Sequence, residues 1–157
     1  MTNSTADYTN LLQEAIRLAR ENAPRAVDDL RRCASEAAGA VAGVTGDGIV
    51  LELVPINQSE DLPPAYQLQL YKAGSEAPPS DLGVYCVSTV GYPVQRWYSR
   101  NGWETHPNQS DQTYPNVTEL ENHFRRMISR PESRLVVLIT FFQEQGAQSP
   151  ATNTETA

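Results

Sequence analysis

Apolar positions recur every three or four residues over the first forty residues of the chain. Tyr8, Leu11, Leu12, Ala15, Leu18 and Ala19 predict a helix over about 8–21. Asn22-Ala23-Pro24 interrupts that stripe, because proline is accepted in a first turn and not in a helix interior. A second helix is therefore expected over about 24–41, with Val27, Leu30, Ala34, Ala37 and Val41 inward. One proline-kinked helix is the alternative. The glycines of 43–48 follow a helix and precede a strand. A phosphate loop runs the other way, from strand to helix N-terminus, so these glycines read as a C-cap and turn.

The pattern then changes to alternation. Gly48–Ile56 reads as a strand, and Tyr66, Leu68 and Leu70 alternate with Gln67 and Gln69 in a half-exposed one. Gly83–Val90 and Val94–Arg100 follow, separated by the turn Gly91-Tyr92-Pro93. Asn101-Gly102 is the strongest hairpin signal, since a type I′ turn needs positive φ at both centres. It predicts a short return strand, Trp103–His106. After a polar loop at 107–115, Asn116 and Glu119 form a capping box for a helix over 117–129 that Pro131 ends. Arg125, Arg126 and Arg130 suit the negative end of that helix. Leu135–Phe142 is an unbroken apolar run, read as a strand buried on both faces and central in the sheet.

The fold expected is α+β. An N-terminal helical pair precedes a mostly antiparallel twisted sheet of five to six strands, and one further helix comes before a central C-terminal strand. Residues 7–144 form a single domain, with disordered tails at 1–6 and 145–157.

Composition narrows the function. The 157 residues carry a formal net charge of −7, which disfavours nucleic acid as the main partner and suits a basic protein. No apolar run approaches the ~20 residues needed to span a bilayer. Met1–Tyr8 is polar, without an apolar signal core, and Cys33 and Cys86 belong to no paired motif. A cytoplasmic, reducing setting is therefore expected. The single lysine, Lys72, is followed by Ala73, so no Walker-type phosphate loop exists and no lysine nucleophile stands out. His106 and His123 are far apart in sequence, no Gly-x-Ser-x-Gly occurs, and Cys86 sits mid-strand. The adjacent carboxylates Asp28-Asp29 read as a solvated helix face. No catalytic residue, metal site or cofactor is assigned, and the reading leans away from an enzyme.

One constellation carries recognition chemistry. In the expected hairpin, Arg96, Tyr98 and Arg100 share a face, and Trp103 joins them across the turn. Gln95, Trp97 and Ser99 take the other face, with Trp97 in the core. Arg, Tyr and Trp dominate interface hot spots. The leading expectation is thus a non-enzymatic interaction module of an adaptor, chaperone-like or inhibitor/immunity-type accessory kind. It would bind a protein partner through Arg96, Tyr98, Arg100 and Trp103. A small-ligand or nucleotide domain is the second reading: a pocket between helices and sheet, with Arg96 and Arg100 on an anionic group and Tyr98 or Trp103 stacking on a base. A hydrolase using Cys86 or His106 is the third. A homodimer is left open.

Overall fold

The computed structural model describes residues 4–57 and 63–155. The class is α+β, with one five-stranded antiparallel sheet between helices placed early and late in the chain. Helix α1 spans Ser4–Thr45. The strands are β1 (Ile49–Asn57), β2 (Ala65–Lys72), β3 (Ser80–Ser88), β4 (Gly91–Trp97) and β5 (Gln112–Tyr114). Helix α2 (Arg100–Thr105) lies between β4 and β5, and α3 (Val117–Ser129) and α4 (Arg134–Glu155) close the chain. The strands lie in sequence order, β1-β2-β3-β4-β5. Met1–Asn3, at the start of the tail expected at 1–6, and Thr156 and Ala157 lie outside the described residues, as does most of the acidic loop before β2. Among the described residues no helix is long and apolar enough to cross a membrane.

The helical pair is one continuous helix. Pro24 stands inside α1 on an exposed face, so the carbonyl that loses its partner can meet water. The expected inward stripe is largely kept. Ala26, Leu30, Cys33, Ala34, Ala37 and Val41 are buried, and Val27 is half-buried. Small residues along this stripe let α1 lie close on the sheet. Gly91, with φ +98, shows how close: a Cβ there would stand 2.8 Å from the Asn22 carbonyl oxygen. The Tyr92 hydroxyl also donates to Asp29 of α1 at 2.9 Å.

One face of the sheet carries the main core: Leu51, Tyr66, Leu68, Leu70, Leu82, Tyr85, Val87 and Val94 under α1, α3 and the start of α4. The opposite face buries Ala65, Val84 and Trp97. Trp97 is 2% exposed, as its strand position predicts, and its indole N–H donates to the His106 carbonyl at 2.8 Å. A bulge in β3 keeps both faces supplied. Gln67 pairs with Val84 and Gln69 with Asp81, so Leu82 and Gly83 oppose Leu68 alone. Leu82 and Tyr85 thereby both face the helices.

Three expectations are corrected. Asn101-Gly102 makes no hairpin. Ser99 caps α2 instead, its hydroxyl accepting from the Gly102 N–H at 3.0 Å. Asp111 and Asp81 accept from the Tyr98 and Arg100 N–H groups at 2.8 and 2.7 Å, which satisfies the strand end without a return strand. The strand partner of β4 is β5, inside the expected loop, where Val94 pairs with Tyr114. Leu135–Phe142 is helical rather than a central strand. Ser133 accepts from the Val136 N–H at 3.2 Å, and the buried or half-buried positions Leu135, Leu138, Ile139 and Phe142 repeat at helical spacing. α4 continues to Glu155, across part of the segment expected as a disordered tail.

Candidate functional site

Without the hairpin, the four residues expected on one face divide into two pairs. Arg96 and Tyr98 point to the helix-bearing side of β4, and Arg100 and Trp103 lie on the α2 side. Arg100 is already engaged: its Nε donates to Glu104 at 3.0 Å and its Nη1 reaches Gln67 at 3.4 Å. Trp103 is half-buried in a recess with Trp97, Gln95 and Cys86. Burial pushes the Cys86 thiol up to about 11, with Trp103 opposing the rise, so the sulfur is no thiolate nucleophile near neutral pH.

The Arg96–Tyr98 pair opens onto a cavity of about 450 Å³ between the β4 edge, the end of α3 and the start of α4. Its floor is Leu82, Met127 and Leu135. Arg126 and Arg130 come from the α3 end and Arg134 from the first turn of α4. Four guanidinium groups thus line one hollow, against the single carboxylate of Glu132. Among the described residues the ion pairs belong to Arg17, Arg32 and Arg100, so no cavity arginine has a carboxylate partner. Glu121, which sequence spacing offers to Arg125, reaches Arg32 of α1 instead, at 3.7 Å.

Arg96 is held in a defined pose. Its guanidinium carbon lies 5.2 Å from the Tyr98 ring centre and 5.6 Å from that of Tyr85. Nη2 donates to the Leu82 carbonyl at 3.0 Å and Nη1 approaches Gln112 at 3.5 Å. Nε is buried with no hydrogen-bond partner. Gly83 makes the room, since a Cβ at that position would stand 3.2 Å from Nε.

His123 forms the inner wall. It is 7% exposed, stacks on Tyr114 with ring centres 4.6 Å apart, and meets the Tyr85 hydroxyl at 2.6 Å. Burial, then the charges of Arg96 and Arg126, drive its pKa down to about 3. Burial likewise raises Tyr85, so the pair is a neutral phenol hydrogen-bonded to a neutral imidazole at Nε2. Tyr114 is pushed up to about 12 by burial, with Arg96 opposing. These groups neither offset the arginines nor titrate near neutral pH.

Chemically, the arrangement suits binding an anion. Planar guanidinium forks from two helix ends and a strand converge, and an exposed aromatic ring, Tyr98, stands at the rim. Among the described residues no three His, Cys, Asp or Glu side chains gather as metal ligands. Sequence reading found Arg96 and Tyr98 but assigned Arg126 and Arg130 only to the helix dipole, weighed His123 only as a catalytic candidate, and left out Arg134. The missed signal was Arg126, Arg130 and Arg134 recurring every four residues across the Pro131 break. No protein-family model matches the chain, and no curated protein or solved structure shows significant similarity to it.

Proposed function

We propose that the protein is a non-enzymatic interaction module that holds an anionic group of its partner, a phosphate or a carboxylate, in the Arg96–Tyr98 cavity. The observation that carries this reading is the convergence of four arginines, none with a carboxylate partner among the described residues, in a chain of net charge −7. An acidic body suits a basic partner overall. Local charge decides contact at a hollow of this size, because screening limits distant charges to about 8 Å at physiological ionic strength. The accessory role and the cytoplasmic setting belong to the same proposal. Free thiols at Cys33, in the core under α1, and Cys86, on the opposite face, support a reducing compartment.

The test is calorimetric titration at low salt with three probes: inorganic phosphate, adenosine monophosphate and an acidic peptide. Binding of any of them is expected to weaken tenfold or more in Arg126→Ala/Arg130→Ala. Both side chains are exposed, so the fold stays intact. Preference for the nucleotide over phosphate assigns the cavity to a small ligand with Tyr98 on the base. Preference for the peptide assigns it to a protein partner. No heat with any probe, or binding that the double variant leaves unchanged, removes the proposal.

A further inference from the structure

The first turns of α1 lie beyond the sheet. Asn22 is the first residue seen against a strand, at Gly91, and Ala26 is the first fully buried one. Ser4–Glu21 is about 27 Å of helix at 1.5 Å per residue. Its apolar side chains are bare: Tyr8 is 72% exposed and Leu12 62%, with Leu11, Ile16 and Leu18 also exposed. The stripe Tyr8, Leu12, Ala15, Ala19 prolongs, in helical register, the one that packs on the sheet from Ala26 onward. Among the described residues, the seam from Tyr8 to Ala15 therefore has a core-type pattern with nothing packed beneath it.

We infer that a second copy of this chain covers the seam, arm against arm and antiparallel. Two features of the arm point to itself as occupant. The first is charge. Over Ser4–Glu21, Asp7, Glu14 and Glu21 stand against Arg17 and Arg20, so the arm is close to neutral at −1 while the whole chain is −7. Arg17 is paired within the helix to both Glu14 and Glu21, so the ends of the arm are set by Asp7 early and Arg20 late, neither of which has an ion pair among the described residues. Reversing one arm over another sets acidic ends against basic ends. The second feature is size. With Leu12 over the partner's Ala15, Tyr8 falls over the partner's Ala19 and Leu11 near the partner's Ile16. Large residues then meet small ones, and Asp7 approaches the partner's Arg20. Such self-complementarity is what a two-fold interface requires. The charges are exposed, so they set direction more than affinity.

Sedimentation equilibrium of the full chain over a range of concentrations tests this. The wild type is expected to dimerise reversibly. Leu12→Glu is expected to raise the dissociation constant a hundredfold or more while leaving circular dichroism unchanged, because the side chain is exposed in the monomer. Asp7→Arg alone is expected to weaken the dimer, and Asp7→Arg/Arg20→Asp to restore it. A wild type that stays monomeric hands the seam to some other occupant and overturns the inference. So does a dimer indifferent to Leu12→Glu. Failure of the double exchange to rescue overturns the antiparallel pairing.

Discussion

Gly83→Ala is expected to destabilise the protein by about 3 kcal/mol or more, read as a lowered urea midpoint with little change in slope. Two costs combine. The residue has φ +116, a region that L side chains rarely enter. The new Cβ would also stand 2.6 Å from the Trp97 carbonyl oxygen, and that atom belongs to the backbone of a paired strand. It cannot swing aside as a side chain would. Relief requires β3 and β4 to separate at the bulge, where Val84 pairs with Trp97 and both are buried. Gly74→Ala separates the two costs. Gly74 has φ +76 and nothing within 4 Å of its would-be Cβ, so only the conformational part applies, about 1 kcal/mol. Equal losses at the two glycines would mean that the bulge has room to spare. If Gly83→Ala stays folded at low temperature, it should also bind anions poorly, because the same Cβ presses on Arg96 Nε from 3.2 Å.

That bulge marks a limit of what a single strand reveals. The inner face of β2 was legible because alternation is a local property: Tyr66, Leu68 and Leu70 do pack under the helices, whereas Gln67, expected on the wet face, is 6% exposed and buried on the Trp97 side. Asn116 capping Glu119 was legible for the same reason, and it holds at 2.9 Å. Trp97 was placed inside correctly by counting along its own strand. Errors arose where two local signals competed. Asn-Gly favours a tight turn, yet Ser99 two residues earlier offers a helix cap, and Asp81 and Asp111 arrive from elsewhere to satisfy the remaining N–H groups. Leu135–Phe142 reads equally as a buried strand or a helix face until the cap at Ser133 and the half-burial of Leu138 and Phe142 decide it. The cavity required more still. Arg96 belongs to β4, Arg126 to α3, Arg130 to its C-cap and Arg134 to α4, and only the packing of α3 and α4 against the sheet brings them together. Had Trp103 followed a hairpin back along β4, it would have paired with Arg100 on the face that Arg96 and Tyr98 share. The short helix α2 sends it to the other face.

Stability is expected to fall on acidification, from about pH 6.5 downward, through His123. Folded His123 resists protonation until about pH 3, whereas in the unfolded chain it takes a proton near 6.5. Above 6.5 both states are neutral and this group contributes no pH dependence. Between the two values the unfolded chain holds one more proton than the folded one. Unfolding is therefore favoured by about 1.4 kcal/mol for each unit the pH drops in that interval. The structural cause is specific: a protonated ring would be charged while 7% exposed and would face Arg96 and Arg126. Urea titrations at pH 7, 6 and 5 measure the slope before most carboxylates titrate. His123→Gln keeps an amide that can donate to or accept from Tyr85 but cannot gain a proton. It should cost about 1–2 kcal/mol at pH 7 and lose most of the slope, so the two proteins converge as the pH falls. A wild type whose stability is level from pH 7 to 5 would show that the imidazole can reach water. The cavity wall would then be looser than the stacking of His123 on Tyr114 implies.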